Sequence, residues 1–289
     1  MKTLILTNKF ELEKVLNSIK QRKINFIPTM GNLHEGHFEL IRSAKKNGNI
    51  NLVSIYINPL QFNDKKDFDN YPRSIKKDLK HLKELKVSMV YLPEKDFNLT
   101  NTSIIDLGEI VDKLCGKNRK GHFEGVATII LKFLLIIKPE KIFLGEKDFQ
   151  QILVIKKVIK DFNLSTNVKT VPIVRGHGGI ALSSRNQRIK NINNLEKVYN
   201  CLVDIKNKID EDNFCIKDLK YFKDNLIKSG ICRVNYLEIL KESDLSELTS
   251  IPSKSRIFIS CNIQGVNVID NLGLEKNYLK EYGKLKFSS

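Results

Sequence analysis

Two histidines three residues apart, His34 and His37, sit in the segment Phe26-Ile-Pro-Thr-Met30-Gly31-Asn-Leu-His34-Glu-Gly36-His37, where a short apolar strand runs into a glycine turn. Gly31 and Gly36 let a backbone approach a ligand closely, and a helix beginning near Gly36 would aim unpaired amides and its positive dipole end at phosphate. A phosphate loop of the Walker type needs Lys then Ser or Thr after its second glycine; His37-Phe38 stands there instead, so that reading fails. His-Glu-Gly-His is one residue short of the zinc-protease spacing, and no Cys or His cluster lies nearby in sequence to complete a metal site. A lone histidine is more often a core or capping residue, but two beside two glycines at a strand end favour catalysis or phosphate contact.

Three further strand ends carry polar side chains. In Ser54-Ile-Tyr-Ile-Asn58-Pro59-Leu-Gln61-Phe62 a strand stops at a proline flanked by two amides. Amides donate to hydroxyl and carboxylate oxygens without adding a titrating group, and ligands of open α/β sheets sit at such ends. A plain Asn-Pro turn is the competing explanation. In Ile142-Phe-Leu-Gly145-Glu146-Lys147-Asp148-Phe-Gln150-Gln151, Lys147 lands where an ammonium reaches phosphate oxygens and Asp148 is placed to cap a helix; a solvated charge run is the alternative. Pro172-Ile-Val174-Arg175 leads through a glycine-rich loop to Ala181-Leu182-Ser183-Ser184-Arg185-Asn186, two hydroxyls and a guanidinium that suit a triphosphate or simply cap a helix.

The elements that must position these residues alternate. Apolar runs predict strands over 25–27, 52–57, 87–92, 142–144 and 168–174, and helical spacing predicts helices over 36–47, 73–86, 124–137 and 148–161. Such alternation predicts a parallel sheet wound by helices. Beyond Arg185 the pattern changes to helices over 191–209 and 215–229 and then three short strands, of which 257–263 and 266–269 form a hairpin through Gln264-Gly265. The chain is therefore divided into an α/β domain over 1–175 and a smaller α+β domain over 176–289, the boundary falling in the Gly176 to Gly179 loop, with no internal repeat.

Composition bounds the partners. At 289 residues two domains are the better expectation. The richest apolar run, Val126 to Ile137, is broken by Lys132 and is far shorter than the roughly 20 residues a membrane span needs, so no membrane partner is expected. The first residues have too short an apolar stretch for a secretion signal. Five scattered cysteines, never in Cys-x-x-Cys spacing, predict free thiols in a reducing cytoplasm. The net charge of +16 is spread among many Asn and Ile, residues of A/T-rich codons, without the aromatic-interleaved stripe of single-strand binders; coding bias explains it and no nucleic-acid partner is expected. The basic field would still gather anionic substrates.

The His-x-x-His turn is similar to the signature of adenylate-forming nucleotidyltransferases. With all four segments together the chain resembles the pantothenate synthetase (pantoate:beta-alanine ligase) family from residue 1 to about residue 285, a likeness that also takes in Tyr71-Pro-Arg73, Cys115-Gly116, Arg119, Gly121-His122-Phe123, Val234-Asn-Tyr-Leu-Glu238 and Val268-Ile-Asp-Asn271. It departs at Lys120, where the family usually has Pro, and at Arg175-Gly-His-Gly-Gly-Ile-Ala181, where the family usually reads Arg-Glu-x-Asp-Gly-Leu-Ala and two carboxylates are gone. Three glycines around His177 predict a loose hinge whose ordering is entropically costly, and hence that Gly178→Asp tightens ATP binding.

The resemblance implies a Rossmann-like nucleotidyltransferase domain with a C-terminal lid, acting as a homodimer. It implies ATP as a substrate, with Mg2+, and a reaction in which pantoate becomes pantoyl adenylate and beta-alanine displaces AMP. Catalysis falls to His37, His34 and Lys147; ATP to Met30, Gly31, His34, His37, Gly145, Glu146, Lys147, Asp148, Val174, Leu182, Ser183, Ser184 and Arg185; pantoate to Asn58, Gln61 and Gln151, with Gln61 also near beta-alanine. In the family the position of His37 is described as a proton donor; phosphate binding by a cationic imidazole fits the sequence equally well. A different nucleotidyltransferase would share the His-x-x-His turn but would not need Asn58, Gln61 or Gln151, and a non-enzymatic RNA-binding protein would explain the charge but leave all four strand-end segments without a purpose.

Overall fold

The computed structural model describes residues 2–93, 102–251 and 254–275, and the last fourteen residues of the expected second domain lie outside them. The described chain divides into two compact units, Met1–Glu146 with Gln150–Val171, and Lys147–Phe149 with Pro172–Ser289.

The first unit runs β1 (Leu4–Leu6), α1 (Lys9–Ser18), β2 (Ile24–Thr29), α2 (Glu35–Lys45), β3 (Ile50–Ile55), α3 (Lys65–Asp69), α4 (Ile75–Glu84), β4 (Met89–Tyr91), α5 (Leu114–Asn118), α6 (His122–Ile137), β5 (Lys141–Gly145), α7 (Phe149–Asp161) and β6 (Asn167–Val171). Its six strands form one parallel sheet in the order β1-β4-β3-β2-β5-β6. Parallel strands covered on both faces read as near-continuous apolar runs, which is why β2 and β3 are visible in the sequence. Alternate residues serve the two faces: Ile27, Val53, Val90 and Phe143 join Leu40, Ile41 and Ala44 of α2 in one core, whereas Phe26 packs its ring 5.2 Å from that of Phe133 on α6.

After β2 the chain winds to β3 on one side, and after β5 it winds to β6 on the other, so β2 and β5 are neighbours whose connections leave in opposite directions. A crevice opens at such a reversal, outside the carboxyl ends of the strands. The Met30, Asn58 and Glu146 segments all follow strand ends on that edge.

The second unit carries α8 (Asn193–Asp210), α9 (Leu219–Lys228), β7 (Arg233–Lys241), β8 (Ser255–Ile263) and β9 (Val266–Gly273), the strands antiparallel in the order β7-β8-β9. Leu195, Val198, Leu202 and Ile205 of α8 lie against Ile257, Ile259 and Cys261 of β8. The β8 to β9 hairpin turns at Gln264 (φ 53) and Gly265 (φ 80), the pair of left-handed residues that a two-residue loop demands.

Three expectations are corrected. The strand placed over 168–174 ends at Val171, because Pro172 has no amide with which to continue the ladder. The helix over 215–229 is a 3-10 turn, Ile216–Asp218, followed by α9. The strand over 52–57 spans Ile50–Ile55, its end marking the approach to Asn58. Among the described residues no helix is long and apolar enough to cross a membrane.

The five cysteines are free thiols. Burial pushes the Cys201 and Cys261 thiols up to about 12, with the Asp204 carboxylate adding to the rise at Cys201. At mildly alkaline pH those two hold almost no thiolate, and the thiolate is the nucleophile. An Ellman titration of the native protein is therefore expected to modify the exposed Cys215 and Cys232 promptly and to reach Cys201 and Cys261 only after denaturant is added. Modification of all five at one rate in the native state would contradict the packing.

Candidate active site

The turn after β2 is built by a buried acid that the sequence did not single out. Asp78 of α4 is 1 % exposed, and its two oxygens accept from the backbone amides of Asn32 (2.8 Å) and Leu33 (2.9 Å) and from the Ser74 hydroxyl (3.1 Å). Gly31 (φ 80) and Asn32 (φ 50) turn the chain in left-handed conformations. A Cβ at Gly31 would meet Ile55 Cγ2 at 3.0 Å and Asp78 Oδ2 at 3.1 Å, so glycine is required twice over, by backbone angle and by space. Thr29 closes the other side: its hydroxyl donates to Ser54 O (2.7 Å) and accepts from Gly31 N (3.3 Å).

Both histidines cap the helix that follows. His34 is the N-cap of α2, its Nδ1 accepting from Gly36 N (3.2 Å), while His37 Nδ1 accepts from His34 N (3.3 Å). The plainer capping role is thus real, and it fixes the chemistry. With Nδ1 spent as an acceptor on each ring, the neutral imidazole carries its proton on Nε2, which makes Nε2 a donor at both residues. The ring centroids lie 4.1 Å apart, so the two donors form one cluster. Gly36 has a role other than the one expected: a Cβ there would lie 2.9 Å from His34 Cε1, so glycine leaves room for the ring to fold back over the helix start.

The second strand end is a 3-10 turn, Pro59–Gln61, seated on α6. Asn58 is 1 % exposed; Nδ2 donates to Gly125 O (2.9 Å) and Oδ1 accepts from Leu60 N (3.2 Å). A Cβ at Gly125 would collide with the Leu60 carbonyl, so backbone rests on backbone. Gln61 is half-buried, and its carbonyl accepts from Arg119 Nη2 (3.0 Å) and from His122 Nδ1 (2.7 Å). At the start of α7, Gln150 is the structural member of the pair, tying Ile110 O, Lys113 O and Cys115 N with its amide, and Gln151 is the half-buried one.

In the second unit, Lys147 is half-buried with Nζ 3.6 Å from Asp148 Oδ1, both within the 3-10 turn Glu146–Asp148. Val174 O accepts from Leu182 N (3.1 Å) and Gly176 N donates to Ile180 O (2.8 Å), closing the glycine loop. Ser183 caps the 3-10 turn Ser184–Arg188 by accepting from Arg185 N (3.3 Å), and Asn186 ties it back to Ala181 O (2.9 Å). Ser184 is buried and Arg185 half-exposed.

The loose-hinge expectation for this loop does not hold. Arg175 donates to Gly179 O (2.9 Å) and grips both oxygens of Asp270 (2.7 and 2.9 Å). Gly178 (φ 62) has the Glu196 carboxylate where a Cβ would go, and Gly179 (φ 75) has the Tyr199 ring. An aspartate at 178 meets both a strained backbone and a carboxylate already in place, so the opposite outcome, strain and weakened binding, is the one this geometry supports.

The Asp78 anchor generates a test. Asn is isosteric but sets an amide donor against one of two backbone donors, so Asp78→Asn is expected to lower unfolding free energy by about 2–3 kcal/mol, the worth of a charged acceptor on backbone amides. Chemical denaturation measures it, and an unchanged midpoint would show that the turn does not depend on the carboxylate.

A family model described as pantoate-beta-alanine ligase matches residues 4–273. The pantothenate synthetase of Thermosipho melanesiensis is 35 % identical over 260 residues, covering 89 % of this chain and 93 % of that protein, and that of Thermoanaerobacter pseudethanolicus is 36 % identical over 283 residues, covering 93 % and 98 %. Among solved structures, the Thermus thermophilus pantothenate synthetase superposes with a TM-score of 0.88 at 28 % identity, covering 96 % of this chain and 100 % of that one. The Francisella tularensis pantoate-beta-alanine ligase, solved with beta-gamma ATP and beta-alanine, gives 0.78 at 35 % identity over 96 % and 99 %. With its parallel sheet, its capped histidine turn and a match that runs almost end to end, the chain belongs to the pantoate-beta-alanine ligase family.

Proposed function

We propose that the chain condenses pantoate with beta-alanine to pantothenate, the precursor of coenzyme A, using ATP. The pantoate carboxylate attacks the α-phosphorus, pyrophosphate leaves, and the beta-alanine amine then attacks the acyl carbon of pantoyl adenylate and displaces AMP. The observation that carries this reading is the paired Nε2 donors of His34 and His37 at the edge where the sheet reverses, within a chain of this family.

A carboxylate is a weak nucleophile and a triphosphate repels it, so positioning and charge neutralisation supply most of the catalysis. In the first unit Met30, Gly31, Gly145 and Glu146 line the nucleotide, and His34 and His37 donate to its phosphates. Both rings meet phosphate through Nε2, the nitrogen that their caps do not use, and at His37 that atom is also the one from which a proton would be donated. Gln61 and Gln151, with the second amide hydrogen of Asn58, hold pantoate, and Gln61 also meets beta-alanine. In the second unit Lys147, Asp148, Val174, Leu182, Ser183, Ser184 and Arg185 are assigned to ATP, Lys147 neutralising the charge that grows as pyrophosphate departs.

Among the described residues no group of three or more His, Cys, Asp or Glu side chains could hold a metal ion. Magnesium would be held largely by the phosphates of ATP and would help neutralise their charge. A homodimer in the cytoplasm completes the reading, resting on the family and on the free thiols.

Omitting each substrate in turn tests it. Pyrophosphate release is expected to require ATP and pantoate only, and free AMP to accumulate only when beta-alanine is added; pyrophosphate release without pantoate, or an adenylyl or pantoyl group covalently on the protein by mass spectrometry, would contradict it. Lys147→Ala is expected to lower kcat on the order of a hundredfold, as loss of a transition-state donor does. Near-normal turnover would make Lys147 a surface charge.

A further inference from the structure

The segment Val268-Ile-Asp270-Asn271 has no part in the reaction as derived, yet its last two residues are buried polar side chains on β9 that bond to backbone and to arginines. Asn271 is 2 % exposed, and its Nδ2 donates to the carbonyl of Lys147 at 3.0 Å while its Oδ1 accepts from Arg256 Nη1 at 2.6 Å. Arg256 is 4 % exposed, tied through Nε to Glu242 at 2.8 Å, and lies 4.2 Å from the centroid of Phe149, which in turn packs 5.8 Å from Phe258 of β8. Lys147 is thus tied to the small sheet at two points: its own carbonyl by Asn271, and the ring two residues on by Arg256 and Phe258. The neighbouring Asp270 takes the fork of Arg175, which also donates to Asn271 O at 3.1 Å and stacks 4.4 Å from the Tyr199 ring at the head of the loop leading to Ser183 and Arg185.

We propose that Asn271, backed by Arg256, is a positioning residue for Lys147, and that Asp270 beside it fixes the Arg175 loop, so that two consecutive residues of β9 set the backbone of both phosphate-directed segments of the second unit. The proposal rests on the reading of Lys147 as a phosphate donor. A lysine stem has four rotatable methylenes, so its ammonium is placed only as well as its Cα is. A displacement of about 1 Å in a reacting constellation costs on the order of a hundredfold in rate, and a buried carbonyl that loses its donor moves to find another.

Asn271→Asp isolates the contact. It is isosteric and keeps an oxygen on Arg256, but sets a second oxygen against the Lys147 carbonyl. With the full-length enzyme, kcat is expected to fall about tenfold to a hundredfold while KM for pantoate and for beta-alanine stays within about twofold. In a Lys147→Ala background the same change is expected to have no further effect on kcat beyond about twofold, because residues acting through one group are not additive. Asn271→Ser, which shortens the side chain and withdraws the donor without adding charge, is run through the same cycle in case the aspartate variant fails to fold. Wild-type kcat in a folded Asn271 variant, a parallel rise in all three KM values, or a full multiplicative loss on top of Lys147→Ala would overturn the proposal. Normal turnover of Lys147→Ala alone would instead overturn the reading of Lys147, and the two failures are told apart by that single variant.

Discussion

A buried carboxylate resting on two backbone amides is the constraint from which the rest of the first unit follows. Asp78 receives the amides of Asn32 and Leu33 in the middle of a turn made of two successive left-handed residues, a conformation that non-glycine residues leave unless something holds them. With the turn fixed, His34 becomes the N-cap of α2, His37 arrives one helical turn later, and the ring nitrogens that face the backbone are used up. Donor geometry at the sheet edge is therefore inherited from an acid on a different helix. The histidines serve as structural caps through Nδ1, so the capping does not use Nε2.

The second unit uses the same device in another form. Its Lys147 turn and its Arg175 to Asn186 segment are held by side chains that grip main chain: Asn271 on the Lys147 carbonyl, Arg175 on the Gly179 and Asn271 carbonyls, Asn186 on the Ala181 carbonyl. Buried polar groups are costly unless satisfied, and here each is satisfied by backbone that needed a partner. The glycine loop between Arg175 and Ala181 is narrow for the same reason, since Gly178 and Gly179 make room for Glu196 and Tyr199 of α8.

What the sequence revealed and concealed follows from the range of the interactions. Strands β2, β3 and β5 are legible because burial on both faces writes a continuous apolar run, and the β8 to β9 hairpin because Gln264-Gly265 is a local turn signal. Strand β1 escapes notice, being three residues on a sheet edge, although Asn8 accepting from Glu11 N at 2.9 Å marks the start of α1 in a readable capping pattern. Asp78 is invisible for a different reason: flanked by Lys76, Lys77 and Lys80 it looks like part of a solvated helix face, and only its contact with residues more than forty positions earlier buries it. Asn58 stands out in the sequence by type and place beside Pro59, but its anchoring to Gly125 is a long-range fact that no spacing rule contains. Asp270 and Asn271 belong to the same class.

Attack of the pantoate carboxylate on the α-phosphorus leaves an atomic trace. Pantoate labelled with oxygen-18 in its carboxylate, turned over with unlabelled ATP and beta-alanine, distinguishes the routes by mass spectrometry of the products. Adenylate formation followed by amine attack at the acyl carbon transfers one labelled oxygen to each AMP. Label in pyrophosphate or orthophosphate, or AMP free of label, would contradict it.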